Sequence, residues 1–221
     1  MVRKKRTRFE ELKEFPNVLE SESVSPEDDW IRGHFGNDHP LILELGCGRG
    51  EYTLALARHY QNRNVLGVDR KGGRLWKGAR KALDQNIHNA VFLRIKIEDL
   101  FERLGGAQFE EIWIPFPDPL PKRRQAKHRL ISPSFLDSYR AVLRQGGRIH
   151  LKTDDDGLIQ YLFKLLEDYP VIIHQCENDL HAHEPLDPLM SVRTTYESRH
   201  LEEGRTIKYV CFSFVEAVTT G

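Results

Sequence analysis

Short apolar runs alternate with longer amphipathic stretches along most of this chain. The run from Leu41 to Leu45 predicts a buried strand, and the stretch from Glu51 to Tyr60 predicts a helix with an apolar inner side. The same pairing of strand and helix recurs further along the chain. The predicted strands are 41–45, 65–68, 90–95, 110–114, 148–152, 170–174 and 206–215, and the predicted helices are 51–60, 74–83, 133–145 and 156–168.

The order of these elements predicts an α/β fold. Strands separated by helices of this length form a parallel sheet with helices on both faces. The stretch from Glu177 to Gly204, which joins the last two strands, is rich in Pro, His and charge and has no clear helical period. Such a connection favours a closing hairpin, so we expect a mostly parallel sheet of seven strands with an antiparallel last strand.

Length and composition limit the class of protein. The 221 residues, 39% of them hydrophobic and 30% charged, are typical of one soluble globular domain. We interpret residues 1–39, which lack the alternation, as an N-terminal extension with a basic tip, and residues 40–221 as the domain. The apolar runs are far shorter than the roughly 18 residues of a membrane span, so we expect a cytoplasmic protein with no membrane partner. Three cysteines without a Cys-x-x-Cys pair argue against a disulfide framework or a zinc ribbon.

Charge is unevenly distributed although the formal net charge is zero. Residues 1–8, 70–81 and 122–129 carry 16 of the 33 positive charges and no acidic side chain. The rest of the chain is therefore acidic. A solvated surface is the ordinary explanation of any one such run, but three together predict binding to a polyanion such as a nucleic acid.

A glycine-rich loop follows the first predicted strand and holds Gly46, Gly48 and Gly50. Glycines let the backbone approach a ligand closely, next to the free N–H groups of a helix start. Glu44 would repel a pyrophosphate, so the loop suits a cationic ligand such as S-adenosyl-L-methionine (SAM) better than NAD. Asp69 ends the second strand, where an acid can accept both ribose hydroxyls of a nucleoside. The structural alternatives are a salt bridge for Glu44 and a strand-end cap for Asp69.

A proline-rich loop follows the fourth predicted strand. Pro117 and Pro119 fix the backbone around Asp118, and residues 122–129, here called the basic strip, follow directly. In a parallel sheet, this end of a central strand lies at the crevice where ligands bind. The sequence therefore predicts a functional loop with a fixed carboxylate rather than a linker.

Together these motifs resemble those of the bacterial tRNA (guanine-N7)-methyltransferases, the TrmB family. The similarity runs from about Phe15 to Phe212. Many SAM enzymes share the glycine loop, whereas the proline loop is close to diagnostic. The motifs that carry the resemblance are residues 44–50, Phe116-Pro117-Asp118-Pro119 with the basic strip, Thr153-Asp154, and Thr194-x-Tyr196-Glu197.

The resemblance implies a class I, Rossmann-like SAM-dependent methyltransferase that modifies N7 of guanosine at position 46 in the tRNA variable loop. It implies that Asp118 is the catalytic residue and lies between cofactor and guanine, in a monomer or homodimer that needs no metal. The implied cofactor contacts are Glu44, Gly46, Gly48, Gly50, Asp69, Ile97 and Glu98. The implied substrate contacts are Lys122, Arg123, Arg124, Asp154, Thr194, Tyr196 and Glu197.

This chain departs from the family pattern at three places. Lys96-Ile97 stands where members commonly have Asp-Ala to meet the adenine, so Glu98 or the N–H group of Ile97 takes that contact in our interpretation. Leu120 replaces a usual Trp, and Thr195-Tyr196 replaces Lys-Phe. These departures concern the shape of the pocket rather than the reaction.

Other functions stay open from the sequence. One is a SAM enzyme that acts on another RNA position or on an exocyclic amine. Another is a noncatalytic RNA-binding protein with a relic cofactor pocket, which the presence of Glu44, Asp69 and Asp118 together argues against. A metal site formed by the run His181, His183 and Glu184 together with His174 is the weakest alternative, because histidines in an exposed loop are more often solvated.

Overall fold

The computed structural model describes residues 8, 10–182 and 186–215. The chain divides into two units, Met1–Phe109 and Glu110–Gly221. The first seven residues, which belong to the predicted basic tip, lie outside the described set. The described residues contain eight strands, four in each unit. None of the described helices is long and apolar enough to cross a membrane.

The first unit contains four parallel strands. β1 (Val18–Glu20) pairs with β4 (Ala90–Arg94), β4 pairs with β3 (Asn64–Asp69), and β3 pairs with β2 (Leu41–Leu45). Every residue of β3 is buried, as expected for an inner strand of a parallel sheet. The carboxyl ends of β2, β3 and β4 therefore open on the same edge.

Among the described residues from Trp30 onward, the first unit has the helices α1 (Trp30–Phe35), α2 (Glu51–His59), α3 (Gly72–Asp84) and the short α4 (Ile97–Leu100). α2 and α3 each bury one apolar side, which is what their helical spacing of apolar residues predicts. Each of α2, α3 and α4 begins just beyond the carboxyl end of a strand, so the three helix starts lie near the edge where the strands end.

The second unit contains β5 (Phe109–Pro115), β6 (Leu143–Thr153), β7 (Val171–Glu177) and β8 (Lys208–Phe214), in the order β5-β6-β8-β7. β8 runs antiparallel to both β6 and β7. This pairing confirms the predicted antiparallel last strand.

In the described part of the second unit there are three α-helices: α5 (Pro133–Val142), α6 (Asp156–Leu166) and α7 (Thr195–Glu202). α5 begins as predicted, with Ser132 at the N-cap and Pro133 at the first helical position. α7 differs from the prediction, which placed no helix between the last two strands. Its eight residues are mostly polar, so no apolar period marks it.

Two further boundaries differ from the predictions. β1 lies in the segment without alternation and has only three residues, too few to show a period of two. β6 begins at Leu143 and runs through the predicted glycine stop. At Gly147 a Cβ atom would lie 2.9 Å from the carbonyl oxygen of Arg144 and 3.2 Å from that of Glu110, so this glycine allows a close backbone approach.

Candidate functional site

The glycine loop between β2 and α2 has a backbone that favours glycine. Gly46, Gly48 and Gly50 have φ angles of +72°, +56° and +69°. At Gly50 a Cβ atom would lie 2.6 Å from the Phe92 ring and 3.1 Å from Gly78 Cα, so a side chain does not fit. At Gly46 a Cβ atom would meet nothing within 4 Å. The loop is thus packed at its helix end and open at its strand end, which leaves room for a ligand.

Asp69 connects the carboxyl end of β3 to the glycine loop. Its carboxylate accepts the N–H of Gly48 at 3.0 Å through Oδ2 and the N–H of Lys71 at 2.8 Å through Oδ1. This strand-end cap was the structural alternative for Asp69. Each carboxylate oxygen has a further lone pair, so the cap leaves acceptor sites for a ribose.

Glu44 is almost completely buried in β2, with 1% of its surface exposed. The hydroxyl of Thr53, on α2, donates a hydrogen bond to its carboxylate. Desolvation by burial raises the pKa of Glu44 to about 8, although the bond from Thr53 acts in the opposite direction. Without a cation beside it, Glu44 is therefore largely protonated at neutral pH.

The proposed adenine contacts lie at the start of α4, directly after β4. Ile97 is half-buried and Glu98 is exposed. The N–H of Asp99 donates to the carbonyl oxygen of Lys96 at 3.0 Å, which closes the turn that contains both residues. Their role in adenine recognition stays a prediction.

The proline loop of the second unit has an unusual backbone. Phe116 and Leu120 have φ angles of +53° and +46°, which residues with a side chain rarely adopt. The N–H of Phe116 donates to the carbonyl oxygen of Lys152 at 2.7 Å and so ties the loop to β6. Asp118 lies between the two strained positions and is exposed. Within the described residues its carboxylate has no hydrogen-bond or ion-pair partner.

Most of the basic strip is exposed, but one residue is turned inward. Lys122, Arg123 and Arg124 project into solvent at the start of a 3₁₀ segment over 123–128. Arg129 is half-buried, and its Nε donates to the carbonyl oxygen of Pro119 at 3.0 Å. The strip therefore combines a solvent-exposed cationic surface with one cation bound to the proline loop.

Asp154 follows β6 and has two cationic or polar neighbours. His200 Nδ1 lies 3.1 Å from its Oδ1, and Arg205 Nη1 lies 2.8 Å from its Oδ2. The side chain of Asp154 is 15% exposed, so its direction is fixed while one edge can still meet a ligand. Thr194, at the N-cap of α7, accepts the N–H of Glu197 at 3.1 Å through Oγ1. It serves the helix start in this arrangement.

Glu197 is completely buried and ion-paired. Its Oε1 lies 2.6 Å from Lys152 Nζ and 2.9 Å from His181 Nε2. Lys152 also donates to the carbonyl oxygens of Met190 and Val192, at 3.0 and 3.2 Å. Burial lowers the pKa of Lys152, whereas Glu197 acts to raise it. Among the described residues, Glu197 Oε2 has no hydrogen-bond partner.

Several residues with a part in these arrangements were not predicted from the sequence. Lys152 could have been found from the sequence, because it directly precedes the Thr153-Asp154 motif. His181 was considered for a metal site and instead contacts Glu197, whereas the other two residues of that run lie outside the described set. In the part of the chain that the structure describes, no group of three or more His, Cys, Asp or Glu is arranged to hold a metal ion. The other missed residues are Thr53, His200 and Arg205, whereas Arg129 was predicted only as a member of the basic strip.

Comparison with known proteins identifies the family. A family model described as "Putative methyltransferase" matches residues 38–210. The tRNA (guanine-N(7)-)-methyltransferase of Christiangramia forsetii is 39% identical over 214 residues, which cover 93% of this chain and 95% of that protein. This chain belongs to the tRNA (guanine-N(7)-)-methyltransferase family. The tRNA (guanine-N(7)-)-methyltransferase of Porphyromonas gingivalis is 43% identical over 188 residues, covering 85% of this chain and 76% of that protein. The predicted family and enzyme class are confirmed.

Solved structures identify the fold of this methyltransferase. The 16S rRNA methyltransferase KamB superposes with a TM-score of 0.62 at 14% identity, over 86% of this chain and 94% of that chain. A structure described as an antibiotic related methyltransferase gives a TM-score of 0.63 at 19% identity, over 87% of this chain and 95% of that chain. The predicted α/β, Rossmann-like methyltransferase fold is confirmed, with eight strands in the described residues where seven were predicted.

Proposed function

We propose that this protein transfers the methyl group of SAM to N7 of guanosine at position 46 in the variable loop of tRNA. The observation that carries the proposal is the 39% identity to a tRNA (guanine-N(7)-)-methyltransferase over 93% of the chain. We further propose that the enzyme acts in the cytoplasm, where tRNA is found, as a monomer or homodimer.

The residues of the first unit fit SAM. The open side of Gly46 gives a ligand access to the loop backbone, and the unused lone pairs of Asp69 suit the ribose hydroxyls. When bound, SAM supplies an electrophilic methyl group on a sulfonium. A cation near Glu44 would favour its ionised form, so we expect this carboxyl to lose its proton when the cofactor binds. Gly48, Gly50, Ile97 and Glu98 complete the proposed cofactor contacts.

The side chains of the second unit suit a reaction that needs no general base. N7 of guanine has a free lone pair and no proton, and the purine gains positive charge as it is methylated. Asp118 is an exposed carboxylate without a partner among the described residues, so it is free to accept purine hydrogens and to stabilise that charge. Asp154, oriented by His200 and Arg205, would act on the same substrate.

Binding of tRNA would use the exposed part of the basic strip. Lys122, Arg123 and Arg124 have no ion-pair partner among the described residues and would contact phosphates without reading sequence. Tyr196 is 44% exposed and is a further proposed substrate contact. Thr194 and Glu197, which the resemblance places with the substrate, would support this contact from within α7, because Thr194 caps the helix and Glu197 is buried against Lys152.

The experiment is methylation of tRNA followed by position mapping. The protein is incubated with labelled SAM and bulk tRNA, which is then reduced with borohydride and cleaved with aniline at N7-methylguanosine. We expect one break, at position 46, and no label in a transcript that carries adenosine there. Label without aniline cleavage would assign the enzyme to another acceptor atom. Absence of label with intact tRNA binding would favour a noncatalytic RNA-binding protein.

A further inference from the structure

Arg129 differs from the other cations of the basic strip in what it contacts. Its Nε donates to the carbonyl oxygens of Pro119 and Leu120 at 3.0 and 3.3 Å, and its Nη2 donates to Leu120 at 3.1 Å. The guanidinium carbon lies 4.3 Å from the centre of the Tyr161 ring on α6. The Nε and Nη2 side of the guanidinium is therefore directed at backbone, and one flat face is covered by an aromatic ring.

The backbone of Arg129 is fixed on both sides. Its N–H donates to the carbonyl oxygen of Ala126 at 3.1 Å, and its carbonyl oxygen accepts the N–H of Ser132, the N-cap of α5, at 2.9 Å. Lys127, two residues earlier, is exposed. The same short segment thus presents one cation to solvent and holds another in the interior of the loop.

The loop that Arg129 grips is strained. Phe116 and Leu120 both have positive φ angles, a conformation that costs energy for residues with a side chain and persists only where surrounding contacts enforce it. Asp118 lies between them. The carbonyl oxygens that Arg129 binds belong to the two residues directly after Asp118. Charge-assisted hydrogen bonds to these carbonyls are the contacts that oppose relaxation at Leu120.

We infer that Arg129 is a positioning residue that fixes the Asp118 carboxylate for methyl transfer and does not contact tRNA phosphate. This inference rests on the proposed function, because it requires that Asp118 acts on the guanine. Guanidinium geometry is essential to it: the planar fork reaches two carbonyls while its face packs on Tyr161, which a lysine ammonium cannot reproduce.

The test compares Arg129→Gln and Arg129→Lys with Lys127→Gln, which removes one positive charge from the exposed part of the same segment. Three quantities are measured: the single-turnover rate at saturating tRNA and SAM, the Kd for tRNA, and the slope of log Kd against log salt. We expect both Arg129 variants to lose about tenfold or more in the saturated rate, with Kd and salt slope close to those of the parent. Lys127→Gln serves as the reference for the loss of one phosphate contact, which reduces the salt slope by about 0.7 to 0.9.

A double-mutant cycle decides whether Arg129 acts through Asp118. In an Asp118→Ala background we expect Arg129→Lys to change the saturated rate by less than about twofold, because the group that it positions is absent. A further tenfold loss in that background would overturn the inference. So would recovery of the parent rate by Arg129→Lys, or a salt slope for Arg129→Gln that falls by about 0.7 to 0.9 below that of the parent.

Two controls separate these outcomes from other failures. Thermal unfolding and SAM affinity establish that each variant is folded, and Arg129→Lys retains the charge if Arg129→Gln does not fold. The parent protein is mapped by aniline cleavage first. If the parent methylates another nucleoside, the proposed function fails, and the same cycle on that nucleoside still tests the link between Arg129 and Asp118.

Discussion

Among single residues, one exposed carboxylate carries the catalytic proposal. We expect Asp118→Ala to retain its fold and SAM affinity while the methyl-transfer rate falls on the order of 100-fold, because the charge that it stabilises appears only as the methyl moves. Single-turnover assays at saturating tRNA and SAM measure this step without binding or product release. A rate within about threefold of the parent, less than roughly 0.7 kcal/mol, would make Asp118 a loop-shaping residue and transfer the role to Asp154, whose side chain is partly exposed.

Glu44 predicts a dependence of stability on pH. Its pKa in the folded protein is raised to about 8 from an ordinary 4.5, so the folded state retains a proton that the unfolded state has released. Stability from this group is complete below pH 4.5 and is lost as the pH rises to about 8. We expect Glu44→Gln, which mimics the protonated form, to unfold at a higher temperature than the parent at pH 9 and at a similar temperature at pH 5.

The control for that experiment is Glu102→Gln, which changes an exposed carboxylate in the same unit. Its unfolding temperature should follow that of the parent across the pH range. Equal curves for parent and Glu44→Gln would contradict the buried, protonated carboxyl.

Glu44→Gln, which is expected to raise stability at high pH, is expected to weaken the binding of the cofactor. If the sulfonium and ammonium of SAM favour an ionised Glu44, Glu44→Gln removes a charged partner worth about 1.5 to 3 kcal/mol. We therefore expect its SAM affinity at pH 8 to fall about 10- to 150-fold by calorimetry. An affinity equal to that of the parent would separate Glu44 from the cofactor site. A residue that weakens stability at high pH while it supports binding is consistent with selection for function.

Between elements, one buried ion pair connects β6 to α7. Lys152 joins Glu197 and two carbonyls of the preceding loop, so its removal leaves the Glu197 carboxylate buried without its cation. We expect Lys152→Met to lower the free energy of unfolding by about 3 to 5 kcal/mol in urea titrations. Addition of Glu197→Gln should restore a large part of this loss. If the double variant were no more stable than Lys152→Met, the loss would come from packing and not from the unpaired charge.

Element boundaries followed local signals where such signals exist. The start of α5 was predicted from Ser132-Pro133, and the start of α2 from the glycine loop, because caps and glycines act within a few residues. β6 continues through the predicted stop because Gly147 allows a close backbone approach within the sheet. The sequence alone does not distinguish such a glycine from one that ends a helix. α7 was missed because its eight residues are mostly polar and show no apolar period, although Thr194-x-x-Glu197 is a local signal for a helix start.

Over the molecule as a whole, charge distribution predicts how tRNA is bound. Positive charge is concentrated in three short segments of a chain with no net charge. We expect replacement of Lys122, Arg123 and Arg124 together by Ala to weaken tRNA binding and to reduce the salt slope by about 0.7 to 0.9 for each phosphate that the variant no longer binds. SAM affinity should stay unchanged, because these side chains are exposed and are not among the proposed cofactor contacts. An unaltered slope would assign the strip to ordinary solvated surface.

The family, most of the order of strands and helices, and the loops that carry the proposed site can all be predicted from the chain alone. Apolar periods, glycines and prolines act locally, so their effect follows chain order. What the polar side chains of those loops contact depends on the folded arrangement. Arg129 is bound to the proline loop ten residues earlier, and Glu197 is paired with Lys152. Glu44 is buried and accepts a hydrogen bond from Thr53. Packing determines which charged groups lose water and which neighbours replace it, and that choice depends on residues that are distant in sequence.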